Sequence, residues 1–186
     1  MNKTLFLALC VFSLASIAVA QEDKPRDEHR TVTTVLDHSI QGCEREFTSA
    51  AEAMPEDKYS YAPSNGEFKG VRNFGQQIKH VAAVNYEYGG AILGEKPSEV
   101  NDEDGPAAVK TKAEILKYLK ESFQYVHKAI ATINQQNEVE PVKSPFGVGT
   151  ITRLGVAVSV CPHVIDHYGQ MVEYLRSNGI VPPASR

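Results

Sequence analysis

Two histidines, His163 and His167, stand one helical turn apart in the segment Pro162-His163-Val164-Ile165-Asp166-His167-Tyr168-Gly169-Gln170. A third, His80, lies far upstream in the apolar-patterned run Gln76-Gln77-Ile78-Lys79-His80-Val81-Ala82-Ala83-Val84. Residues i and i+4 of an α-helix share a face with Cβ atoms about 5–6 Å apart, so both imidazoles of the pair can aim a nitrogen at one point. With His80 supplied from a facing helix, three neutral nitrogen ligands converge and leave at least one coordination position open. That arrangement belongs to a catalytic rather than a closed structural metal site. One histidine on an apolar face is ordinarily a core residue with its hydrogen bonds satisfied, but three in one small core are costly to bury without a common partner.

The same helical arithmetic selects the neighbours. Gln170, seven residues after His163 and three after His167, shares their face and is placed to line the open side of the site; Gln77, just before His80, is placed likewise. Glu87, two turns beyond His80, is the nearest inward candidate for a carboxylate that orients an imidazole or moves a proton, against the plain alternative of a solvated helix glutamate. Asp166 adjoins His167 but points about 100° away around the helix. His38 near the start of the first helical segment could face the same cavity, whereas His127 on the third is expected at the surface.

Four amphipathic segments must position these groups. The first spans about Thr34 to Met54, with Leu36, Ile40, Cys43 and Phe47 on one stripe, and Pro55 ends it. The second is announced by the capping-box pattern Ser64-Asn65-Gly66-Glu67 and carries Phe68, Val71, Phe74, Ile78 and Val81 toward Gly89-Gly90. After a loop from about Gly94 to Pro106, the box Thr111-Lys112-Ala113-Glu114 opens the third, with Ile115, Leu119, Phe123, Val126 and Ile130. A break rich in Pro and Gly from Glu140 to Gly149 precedes the fourth, about Thr150 to Asn178, with Leu154, Val158, Cys161, Ile165, Val172 and Leu175 as its stripe. Pro162 either bends this last helix or opens a new one at its first position. No segment alternates with a period of two for long, and a four-helix bundle, which places metal sites between facing helices, is the economical architecture.

Residues 1–20 read as a secretory signal: Lys3 ahead of an apolar run from Leu5 to Ala18 too short to span a bilayer, then Ala18-Val19-Ala20 as a cleavage motif. Residues 21–32 read as a flexible leader and 33–186 as one helical domain, with no stable membrane insertion after cleavage. The expected destination is outside the cytosol, periplasmic or secreted. The formal charge of −4 over 186 residues, with no basic cluster, argues against a nucleic-acid partner. Two cysteines survive cleavage, Cys43 and Cys161; they either form a bridge or remain buried thiols on apolar faces.

The passage Met54-Pro55-Glu56-Asp57-Lys58-Tyr59 ahead of Pro63, the segment Phe74 to Ala82, and above all the tail His167 to Ser185 resemble the DinB-like family of metal-binding helical bundles. The resemblance covers most of the chain beyond residue 20, and the family's three ligands fall on His80, His163 and His167. It implies an all-α four-helix bundle of up-down-down-up type with one long crossover, often a homodimer, and a divalent ion such as zinc or nickel. It also implies chemistry of the kind known in some members, thiol-dependent S-transfer and isomerisation with small thiols such as bacillithiol or mycothiol.

The function expected on these grounds is metal-dependent hydrolysis or thiol transfer on a small-molecule substrate. The alternative is a non-catalytic metal-binding or stress-related protein whose metal is structural or absent.

Overall fold

The computed structural model describes residues 30–96 and 103–186; the signal segment and most of the leader lie outside the described residues. Four α-helices make the body: α1 Val32–Ala53, α2 Phe74–Leu93, α3 Lys112–Ile130 and α4 Arg153–Ser177. A short hairpin, β1 Pro141–Lys143 and β2 Thr150–Thr152, precedes α4. α1 and α2 each pack against both α3 and α4, so α1 lies diagonally across the bundle from α2, and α3 from α4. Phe47, Phe74, Phe123, Ile40, Met54, Ile78, Leu119 and Met171 fill the centre, fully buried or within 1% of it. Among the described residues no helix is long and apolar enough to cross a membrane.

Three helices start on a reciprocal cap. Thr31 and Thr34 form one at α1, Asn73 and Gln76 at α2, and Thr111 and Glu114 at α3, each pair satisfying two backbone N–H groups that the first turn leaves without partners. The box at Thr111 is the one expected from the sequence. α2, however, begins at Phe74 and not near Ser64: Gly66 and Gly70 take φ of +131° and +79°, which no helix admits, and Phe68 is largely exposed. α1 likewise starts within the stretch read as leader, at Val32.

The hairpin is a second departure. Val142 pairs with Ile151 in antiparallel register, so residues 150–152, expected to open the fourth helix, are strand, and strands of three residues are too short to print an alternation. Thr152 then caps α4, its side chain accepting from the Gly155 amide at 3.0 Å.

α4 continues through Pro162, which settles the choice between a bend and a fresh start in favour of a single helix. Proline cannot donate to the carbonyl four residues back. Val158, which carries that carbonyl, is 54% exposed, and Pro162 is exposed as well, so water can serve the freed group. Exposure also corrects the expected stripe. Val158 and Ile165 face outward, while Val156, Ala157, Val160, Val164, His167, Met171 and Leu175 form the buried face.

Candidate metal centre

His80 from the middle of α2 and His163 and His167 from α4 meet in the α2–α4 interface. Each can offer one ring nitrogen such that all three lie within 4.8 Å of one another. The His163 and His80 Nε2 atoms are 3.3 Å apart, and the rings of His80 and His167 are 4.8 Å apart between centroids. His80 and His167 are buried, at 8% and 7% exposure, and His163 is partly so.

The protein fixes the tautomers of two of them. The His80 Nδ1–H donates to the Glu103 carbonyl at 2.7 Å, which leaves its Nε2 lone pair facing the other rings. The loop that brings this carbonyl over α2 passes close enough that a side chain at Gly105, where φ is +70°, would meet the Lys79 carbonyl at 3.2 Å. His167 is oriented through a longer chain. Asp166 accepts from Gln170 Nε2 at 3.3 Å, Gln170 Oε1 accepts from Gln77 Nε2 at 2.8 Å, and Gln77 Oε1 stands 2.6 Å from His167 Nδ1. A carboxylate only accepts, so it sets the direction of every amide in the chain and requires the proton of His167 on Nδ1. Its Nε2 is thereby left free to bind. His163 is different: its Nδ1 is buried without a partner, and Tyr88 meets its ring edge-on at 5.8 Å.

Electrostatics keep the cluster uncharged at neutral pH. Burial is the leading cause for all three rings; it pushes His163 down to about 3 and His167 to about 4, helped by the mutual repulsion of the rings and the Arg72 guanidinium, and lowers His80 as well. Neutral imidazoles are the form that ligates a cation. The donor set therefore fits a divalent ion: the Nε2 atoms of His80 and His167 face inward, and His163 stands beside them with its Nε2 3.3 Å from that of His80 and its Nδ1 buried without a partner. The three histidines are positioned to hold a metal ion.

A polar cavity of about 520 Å³ opens beside His167, lined by Arg72, Gln76, Gln77, Asp104 and Gln170 among others. Arg72 is held there by Asp104 at 2.7 Å, with Glu103 at 3.8 Å. Gln170 borders this cavity together with His167. Glu87 does not share this cavity; it borders another, of about 540 Å³, with Gly90, Lys96 and Lys143, and burial raises its carboxyl above the ordinary range. The carboxylate that orients an imidazole is instead Asp166, and it acts through two glutamines. The spacing of Asp166 and Gln170 at i and i+4 was the available signal. His38 is exposed and lines a separate cavity with Asp37 and Arg30. His127 is not a plain surface residue: Asp37 lies 2.5 Å from its Nδ1 and Glu44 2.9 Å from its Nε2, clasping α3 to α1.

Comparison with known proteins agrees with this architecture. A DinB-like protein from Bacillus cereus superposes with a TM-score of 0.66 at 13% identity, covering 80% of this chain and 93% of that one. A conserved protein from Enterococcus faecalis gives 0.63 at 16%, with 79% and 96% covered, and a DinB-like protein from Bacillus subtilis gives 0.58 at 14%, with 78% and 92%. At such identities the likeness is one of fold. No curated protein matches the sequence. The sequence model of the DinB superfamily matches residues 39–171, a span that runs from α1 to α4 and contains all three histidines. By that match, on a bundle of the same fold, the chain belongs to the DinB superfamily.

Proposed function

We propose that this is an exported metal-dependent enzyme that acts on a small molecule, with hydrolysis as the leading reaction and thiol-dependent transfer as the second form. The observation that carries the reading is the convergence of three neutral imidazoles, with no fourth protein ligand among the described residues and with a polar cavity bordering His167. His80, His163 and His167 would hold the ion, for which zinc or nickel suits the nitrogen donors. A bound divalent cation lowers the pKa of a water or thiol toward neutrality and offsets negative charge that develops in the reaction.

The chain's own residues supply the rest. The Glu103 carbonyl and the Asp166–Gln170–Gln77 chain hold two imidazoles in their binding tautomers. Arg72 and Gln170 present donors on the cavity wall, where they can bind and orient an oxygen-rich substrate. The decisive experiment is turnover by the metal-loaded protein across ester, amide, phosphoester and thiol-transfer panels. Activity abolished by His163→Ala is expected; absence of turnover in every panel would assign the site to a non-catalytic role.

A further inference from the structure

We propose that Cys43 and Cys161 are a redox-active pair that closes into an intrachain disulfide, stapling α1 to α4. Their Sγ atoms are 2.8 Å apart, between the bonding distance of about 2.0 Å and ordinary sulfur contact, although the two residues are 118 positions apart in sequence. Both are thiols in this structure. The surroundings are polar enough to accommodate exchange: the Ser39 hydroxyl and carbonyl approach Cys161 Sγ at 3.4 and 3.3 Å, and the Ile40 carbonyl approaches Cys43 Sγ at 3.2 Å. Cys43 is 5% exposed, whereas Cys161 keeps part of its surface in solvent, which divides the labour between them.

The oxidant required is a low-molecular-weight disulfide. Cys161, the accessible thiol, gives up its proton and attacks one sulfur of that disulfide; the S–S bond breaks and one small thiol leaves. Cys43 then gives up its proton and attacks Cys161 Sγ, which breaks the mixed disulfide and releases the second small thiol. Two protein thiols are oxidised by two electrons, and one small disulfide is reduced to two thiols. The bridge would lie across the α1–α4 contact, one residue before Pro162 and two before His163. It would brace α4 where proline has removed a backbone hydrogen bond and where the metal-binding pair begins.

The test is peptide mapping by mass spectrometry of the full chain after exposure to oxidised glutathione, with a dithiothreitol-treated control, alongside thermal melting of both. The expected product is a monomer in which the peptides containing Cys43 and Cys161 are joined and lighter by two hydrogen atoms. Its melting point should be raised by about 5–15 °C, since the bridge closes a long loop. Cys43→Ala and Cys161→Ser, tested separately, should each abolish the oxidant-dependent rise. Persistence of both thiols, glutathione adducts that never resolve, or a disulfide between two copies of the chain would overturn the proposal.

Discussion

His163 is the member of the cluster that the protein supports least. His80 and His167 each spend Nδ1 on a fixed acceptor, but the Nδ1 of His163 is buried with none, and its Nε2 has only another imidazole nitrogen at 3.3 Å. An unsatisfied buried polar atom costs about 1–3 kcal/mol, so the metal-free site is a poor resting place for this ring. The expected result is that single replacements of His80, His163 and His167 by Ala each remove most of the bound metal in elemental analysis of untagged protein. His127→Ala, whose ring is spent on Asp37 and Glu44, should retain the full equivalent. Full retention by His80→Ala would overturn the three-histidine site. Gln77→Ala tests the orienting chain: it should weaken metal affinity by about 10–100-fold in a competition titration while leaving stoichiometry intact at saturating metal. Of the histidine cluster, His163 and His167 were legible because their i, i+4 spacing is local, and His80 because it lies in an apolar-patterned helical run. The orienting chain was not, because its central link joins Gln77 on α2 to Gln170 on α4 and no sequence spacing encodes that meeting.

At the scale of elements, the helices that carry the site were read with the right number and order, since burial of one face leaves a periodic imprint. What failed was local competition. A Ser64-x-x-Glu67 pattern matches a capping box, but positive-φ glycines on both sides of Phe68 deny it a helix to cap. In α4 the near-continuous run of apolar residues from Val156 to Cys161 allows two stripes one residue apart, and only the packing of α1 and α2 selects between them. The α2–α3 contact shows how close such packing runs. A Cβ on Gly89 would stand 2.5 and 2.7 Å from two ring carbons of Tyr125, whose hydroxyl is tied to Glu95 at 2.7 Å and whose ring rests on Tyr86. Gly89→Ala gains up to about 1 kcal/mol of helix propensity and costs about 1–3 kcal/mol of overpacking. The expected net outcome is a lower urea midpoint for the variant, with metal stoichiometry unchanged. An increase in the midpoint would mean that α3 yields without cost.

Over the whole molecule two sets of histidines oppose one another, and the sign of each can be worked out. The folded values of His163 and His167, about 3 and about 4, lie below the ordinary value near 6.5 because burial penalises the charged form. Between those limits the unfolded chain takes up protons that the metal-free fold refuses, so stability is complete above about 6.5 and is lost as the pH falls, by up to about 1.4 kcal/mol per pH unit for each group. His127 behaves in the reverse sense. Its hydrogen bonds to the carboxylates of Glu44 and then Asp37 raise it, so its contribution is fully present below about 6.5 and fades as the pH rises through its folded value. The metal-free protein should therefore be most stable near pH 6.5 in denaturant titrations, with a steep acid limb and a shallower alkaline one. His127→Gln should flatten the alkaline limb and leave the acid limb in place. Bound metal should deepen the acid loss, because protons and cation compete for the same lone pairs. A metal-free profile that stays level between pH 7 and 5 would show that the three rings do not resist protonation in the fold, and would remove the electrostatic basis for a neutral ligand set.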